Sequence, residues 1–338
     1  MKVLVLGGTL FIGPQVVRRL VRAGCEVTVF HRGRSNAELP DGVEHLLGDR
    51  TDLRSHANAL RAQKPDVVLD MRPLDDTDAQ AVMDVFAGCA RRVVAVSSVD
   101  VYRAYGKLIG IEKGPPDPVP LTEESPLRER LYPYRGETPR SPEDPRRRLD
   151  DYDKILAERA FLSDDRLPGT VLRLPMVYGP LDYQHRLYPY LKRMDDGRPA
   201  ILLDEVQYGW RDSRAYVGNV GHAVSLAVLR NEAAGRVYNV AEPEPQTEAE
   251  WVRRVGRAVG WKGEVVAVPA GRLGEEGDFT HDLVVASHRI RAELGYDEEV
   301  PEERALSETI TWERDNPPDP APAFDYAEED RILTDLTA

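Results

Sequence analysis

Apolar residues alternate between two patterns over the first hundred positions. Short β-branched runs occupy 2–6, 26–30, 43–47, 66–70 and 92–96. They are nearly continuous in apolar character, as strands buried on both faces must be. Between them the spacing becomes helical. Val16, Val17, Leu20 and Val21 form one stripe, with Arg18, Arg19 and Arg22 off it; Leu53, Ala57 and Leu60 form another. This alternation predicts an α/β protein with a doubly wound parallel sheet covered on both faces.

The alternation breaks after Tyr105. Residues 113–148 carry Pro115, Pro116, Pro118, Pro120, Pro126, Pro133, Pro139, Pro142 and Pro145. Proline lacks a backbone donor and fixes φ, so no long helix or central strand is expected there. A loop of this length is either a surface excursion or functional; Tyr132, Tyr134 and Arg135 suit it to covering a ligand. A helix is predicted over 150–162 and a strand over 169–174, completing a first domain at 1–179. Beyond it, strands at 200–203 and 236–240 and helices near 219–229, 248–259 and 302–314 predict a smaller C-terminal α/β lobe over 180–314. It is expected to return one or two strands to the main sheet. Thr247-Glu248-Ala249-Glu250 fits a capping box. The proline-rich, acidic tail 315–338 is expected to be loosely ordered.

Composition narrows the class. The chain has 338 residues, 41% hydrophobic and 30% charged, with a net charge of -13. That is enough apolar material for a large core. The acidity disfavours nucleic acid as a partner, because phosphate backbones are repelled. Cys25 and Cys89 are too few for a disulfide framework. No apolar run approaches the ~18–20 residues of a membrane span. The chain enters its first strand at Lys2 without a signal-like segment, so a soluble, cytoplasmic protein is expected.

The clearest motif is Gly7-Gly8-Thr9-Leu10-Phe11-Ile12-Gly13, directly after a strand and opening a helix. Glycines there permit a tight turn and let backbone approach a pyrophosphate, while the helix start offers free N–H groups. NAD(P) is therefore the expected cofactor, bound through Gly7, Thr9, Leu10, Phe11, Ile12 and Gly13. At the end of the second strand an NAD binder places an acid; here His31 is followed by Arg32 and Arg34. Two arginines beside the ribose favour a 2′-phosphate, hence NADP over NAD. Asp49 and Arg50, after the third strand, are placed on the adenosine side.

These segments resemble the extended short-chain dehydrogenase/reductases of the NAD-dependent epimerase/dehydratase type. The glycine turn is similar to that family's GxxGxxG, with Leu10 in place of the middle glycine. Ser97-Ser98-Val99-Asp100-Val101-Tyr102 resembles its SSxxVY segment. Lys154-Ile155-Leu156-Ala157-Glu158 resembles the second half of YxxxKxxxE. Arg173-Leu174-Pro175-Met176-Val177-Tyr178-Gly179-Pro180 resembles RxxxVYGP, with Pro175 near the nicotinamide. Ile290 to Tyr296 resembles its ELGY segment. The resemblance implies a Rossmann-like domain, hydride chemistry on a sugar or nucleotide-sugar, and a homodimer formed through helices beside the sheet.

The family's chemistry uses a hydroxyl, a tyrosine and a lysine whose charge lowers the tyrosine pKa. Ser98 and Lys154 match the first and last. The tyrosine slot, four residues before the lysine, holds Asp150. Tyr152 is two residues before Lys154, and on a regular helix it points the other way. Three readings follow. Asp150 acts as the base; or another phenol serves, from Tyr102, Tyr105, Tyr132 or Tyr134; or hydride chemistry is lost and the protein is a nucleotide-binding regulator or scaffold. Asp100 matches a position where the dehydratase branch carries an acid/base carboxylate; capping the following turn is its other role.

Substrate is expected at the carboxyl ends of the strands, facing the lobe. Tyr105, Tyr183, His185, Arg211 and Arg214 are the candidate contacts. The segment Arg211 to Val217 resembles the family's RDFxYV, but its diphosphate-arginine slot holds Asp212. His185 has no partners at metal-ligand spacing, so no metal site is expected.

Overall fold

The computed structural model describes every residue except Asn36, Glu275, Glu276 and Ala338. Its first half contains β1 (Lys2–Leu6), α1 (Ile12–Arg22), β2 (Glu26–His31), β3 (Glu44–Leu47), α2 (Ala57–Ala62), β4 (Val67–Asp70), α3 (Asp76–Phe86), β5 (Arg92–Ser98), α4 (Arg103–Leu108), α5 (Lys154–Phe161) and β6 (Gly169–Leu174). Next come β7 (Met176–Tyr178), α6 (Tyr188–Asp195), β8 (Ala200–Asp204), α7 (Glu205–Gly209), β9 (Arg211–Asp212), β10 (Arg214–Tyr216) and α8 (Val217–Leu229). The chain ends with β11 (Val237–Asn239), β12 (Gln246–Thr247), α9 (Glu248–Val259), β13 (Glu264–Val268), α10 (His288–Leu294), α11 (Glu302–Asp315) and α12 (Tyr326–Thr337).

Seven parallel strands form one sheet in the order β11-β6-β5-β4-β1-β2-β3. Alternation along β1 sends its side chains to opposite faces. Val3 and Val5 join Val16, Val17 and Leu20 of α1 and Val224 of α8 on one side. Leu4 and Leu6 join Val82 and Phe86 of α3 and Phe161 of α5 on the other. Both faces are thus dry, which is why the strands read as continuous apolar runs. Strand order reverses between β1 and β4, and ligand crevices open at the carboxyl ends of strands flanking such a reversal. The C-terminal half contributes β11 to the sheet edge, and separate pairs join β7 with β10, β9 with β12, and β8 with β13. No helix among the described residues is long and apolar enough to cross a membrane.

Three expectations change. The helix placed over 150–162 starts at Lys154; Arg147–Asp150 is a separate 3₁₀ turn. The proline-rich segment is tied down rather than a free excursion. Leu121 is buried in a cluster with Val99, Val101 and Tyr102, and buried Lys107 reaches Asp117 at 3.0 Å. The tail is not loose, because it carries α12. Ile332 is buried, and ion pairs join Arg193 to Glu329 at 2.7 Å and Arg198 to Asp330 at 2.5 Å.

Candidate active site

The turn from β1 to α1 closes tightly. Gly7 and Gly8 take φ of 92° and 85°, and a Cβ on Gly13 would lie 2.4 Å from the Gly8 backbone. Only glycine allows that approach. No side chain caps the start of α1, although the Gly13 amide donates to the Leu10 carbonyl at 2.9 Å. Leu10 is 65% exposed, and Tyr183 approaches Phe11 edge-on with ring centroids 6.4 Å apart. Thr9 and Ile12 lie in the same turn, and Pro175 links β6 to β7.

At the end of β2, the Gly33 amide donates to Nδ1 of His31, leaving Nε2 to face Nδ1 of His45 at 2.8 Å. Nδ1 of His31 is then an acceptor, so this ring is neutral. Burial and the second imidazole both lower its pKa. Arg32 and Arg34 remain exposed beside it. Asp49 caps the following turn through the Thr51 amide at 3.0 Å. That bond comes first among the causes holding its carboxyl below the ordinary range, and Arg32 and Arg34 add to it. The Arg50 guanidinium is engaged by buried Asp70, at 2.5 and 2.9 Å, rather than left free.

Ser98 ends β5, and its Oγ accepts the Asp100 amide at 3.3 Å. Asp100 is 5% exposed. Its Oδ2 accepts the Tyr152 hydroxyl at 2.5 Å, and its Oδ1 is buried without a partner. Burial drives the Asp100 pKa up; the Tyr152 hydroxyl, Arg128 and Lys154 oppose this without overcoming it. Burial and the adjacent Asp100 charge in turn push the Tyr152 phenol up. Lys154 Nζ donates to the carbonyls of Pro73, at 2.6 Å, and Val96, at 3.0 Å, and stands 5.9 Å from the Tyr152 ring centroid. Burial lowers its pKa to about 8.

The geometry of 150–154 therefore corrects the helical expectation. Asp153 is extended, at φ -156° and ψ 107°, and caps α5 by accepting the Ile155 amide. With no helix before Lys154, the rule that residues two apart point apart does not apply, and Tyr152 turns onto Asp100. Asp150 is held elsewhere. Its carboxylate pairs with the Arg140 guanidinium and accepts the Arg140 amide at 2.7 Å. Burial alone would raise its pKa, but these bonds leave it lowered. That is the opposite of what a base near neutrality needs. Tyr102 is engaged too, donating to Asn239 at 2.7 Å and accepting from Arg173 at 3.0 Å. Arg173 is paired with Glu158 at 2.7 Å. Tyr105 and Tyr134 meet hydroxyl to hydroxyl, whereas Tyr132 stacks under Arg135, 3.7 Å from its ring.

In the lobe, Arg211 is spent on Asp282 at 2.6 Å, and His185 bonds buried Glu313 at 2.7 Å while stacking on Trp312. Arg214 is 6% exposed; it pairs with Glu248, and its Nε and Nη1 have no partner. Asp212 is 3% exposed with Oδ1 unpartnered. Burial raises its pKa to about 7 against the pull of Arg214. Sequence reasoning missed Glu248, Arg128 and the α5 cap. Only the cap left a signal: an aspartate immediately before an apolar-periodic run.

The pattern that defines the NAD dependent epimerase/dehydratase family matches residues 3–134. A 2'-dehydrokanamycin reductase of Streptomyces kanamyceticus is 30% identical over 285 residues, 82% of this chain and 72% of that protein. The chloroplast stem-loop binding protein of 41 kDa b of Arabidopsis thaliana is 26% identical over 71% of this chain and 58% of its own length. A dTDP-glucose 4,6-dehydratase of Bacillus anthracis, solved with NAD, shares the fold with a TM-score of 0.66 and 18% identity, over 94% of this chain and 97% of that one. The reductase likeness runs far past the nucleotide-binding half into the lobe, and with it the protein belongs to the NAD-dependent epimerase/dehydratase family.

Proposed function

We propose that the protein interconverts a keto and a hydroxyl group on a sugar, with Tyr152 as the proton-carrying phenol. Ser98 orients the reacting oxygen, and Lys154 binds the nicotinamide ribose. The observation that carries this reading is the extended step at Asp153, which sets the Tyr152 hydroxyl 2.5 Å from Asp100 in the turn after Ser98. A nicotinamide nucleotide, when bound, supplies or accepts the hydride. The residues fit such a group: Gly7 and Gly8 make the tight turn, Gly13 lets α1 pack close against it, and no side chain caps the start of α1. Neutral His31 beside exposed Arg32 and Arg34 supports NADP(H).

In the direction of reduction, Tyr152 gives its proton to the sugar oxygen; in oxidation it takes one. Ser98 bonds the same oxygen in both states. The substrate we infer is a glycoside without a nucleoside diphosphate. Asp212 stands in the diphosphate-arginine slot, Arg214 is neutralised by Glu248, and Arg211 faces Asp282. The kanamycin-type substrate in the name of the Streptomyces kanamyceticus relative supports the same class. The test is absorbance of NADPH and NADH with 2'-dehydrokanamycin, beside product analysis of dTDP-glucose incubated with NAD+. Oxidation of NADPH by the keto glycoside is expected. Protein that binds nucleotide yet oxidises neither coenzyme would overturn the reading.

A further inference from the structure

Asp100 stands in a row of hydroxyls that continues away from the reacting phenol. Its Oδ2 accepts from Tyr152 at 2.5 Å and from Tyr134 at 3.4 Å. The Tyr134 hydroxyl lies 2.8 Å from that of Tyr105. Asp100 is buried, and the three hydroxyl-bearing side chains around it, Tyr152, Tyr134 and Tyr105, are half-buried. The members of the row come from separate places in the chain: the turn after β5, α4, the proline-rich segment and the approach to α5. The rings of Tyr134 and Tyr152 pack 5.1 Å apart, which holds their hydroxyls on the same carboxyl. Asp100 Oδ1 is buried with no partner, an arrangement that costs least when the group carries a proton.

We propose that Tyr152, Asp100, Tyr134 and Tyr105 form a proton relay between the active site and solvent. The proposal rests on the reading of Tyr152 as the working phenol. When Tyr152 gives its proton to the sugar oxygen, its O–H bond breaks and a tyrosinate remains. The Asp100 carboxylic acid then gives its proton to that tyrosinate. In the same concerted shift Tyr134 gives its proton to Asp100 while taking that of Tyr105, and Tyr105 takes one from solvent, so no second tyrosinate is set free. One solvent proton enters for each proton consumed, and no electrons move along the row. Oxidation runs the same steps backwards.

The groups around Asp100 are consistent with a carboxyl that can hold either state. Lys154 and Arg128 favour the carboxylate through their charge, and Arg128 is held beside it by a bond of its Nε to the Asp100 backbone carbonyl at 2.6 Å. Burial and Asp153 favour the acid. Tyr152, Tyr134 and Tyr105 supply the exchangeable hydroxyls.

Hydroxyl exchange in the full-length protein tests the relay without any substrate. With tyrosine labelled by 13C at Cζ, in an equal mixture of H2O and D2O, a slowly exchanging hydroxyl gives two lines and a rapidly exchanging one gives a single averaged line. Tyr152→Phe assigns the signal. We expect one line for Tyr152 in the unsubstituted protein and two lines in Tyr134→Phe. Tyr105→Phe, which removes the outer hydroxyl, serves equally should Tyr134→Phe fail to fold. A packing role for Tyr134 would leave exchange at Tyr152 unchanged, since phenylalanine keeps the ring. Two lines in the unsubstituted protein, or one line in the phenylalanine variant, would overturn the relay. Failure of the functional reading is seen separately, as turnover retained by Tyr152→Phe.

Discussion

At the scale of single residues, Ser98 and Lys154 could be placed from the sequence, because each lies in a motif at the edge of a regular element: the end of β5 and the start of α5. Tyr152 was not, because its direction depends on where α5 begins. Tyr102 looked available because its partners, Asn239 and Arg173, lie far along the chain. Two substitutions separate the roles. Tyr152→Phe should lower kcat by about 10²–10⁴, the usual worth of a positioned acid/base, with nucleotide affinity unchanged. Asp150→Asn should retain turnover and lose about 1–3 kcal/mol of stability, because it weakens the bonds to Arg140. Steady-state kinetics and urea unfolding of both variants check this. Loss of turnover in Asp150→Asn at unchanged stability would return Asp150 to the reaction.

At the scale of elements, local rules found the first five strands and the helices between them, since both faces of the sheet are apolar and the periodicity is clean. They misplaced the start of α5 and did not show how the proline-rich segment is held. That segment is fixed by partners contributed from elsewhere, such as Arg128 to the Asp100 carbonyl and Leu121 against Val285. The cap of α5 has its own prediction. Asp153 accepts the amides of Ile155, at 2.9 Å, and Tyr132, at 2.6 Å. Asp153→Ala should cost about 2 kcal/mol as a lost cap. It should also slow turnover, because it frees the segment that carries Tyr152; thermal melting and kinetics read the two effects. In the glycine turn, Gly13→Ala should abolish nucleotide binding by calorimetry, because the new Cβ falls 2.4 Å from the Gly8 backbone.

At the scale of the whole molecule, the doubly wound class was legible, whereas the place of β11 at the sheet edge depends on its pairing with β6, which no local pattern carries. Burial of acids in the lobe has a consequence for stability. Asp212 has a pKa of about 7 against an ordinary 3.8, and Glu242, raised chiefly by burial, about 7 against 4.5. Between those limits the folded protein holds more protons than the unfolded chain. Their contribution is therefore full below about pH 4 and is lost as the pH rises through 7. Unfolding free energy from urea titrations should fall across that window, and fall less steeply in Asp212→Asn. Equal slopes in the two proteins would show that Asp212 does not titrate there.

The closing helix gives the molecule a part that ionic strength can address separately. Among the described residues of α12, Ile332 is buried, Tyr326 donates to Asp196 at 2.6 Å, and ion pairs join Arg193 and Arg198 to Glu329 and Asp330, and Arg272 to Asp335. Concentrated salt screens exposed pairs most, so Arg272–Asp335 and Arg198–Asp330, whose carboxylates are exposed, weaken first, while the sheet, held by apolar contact, does not depend on them. Amide hydrogen exchange should therefore quicken over 326–337 in concentrated sodium chloride with β1 to β6 unchanged. The C-terminus would then behave as a detachable unit with its own opening free energy, well below that of the domain it closes.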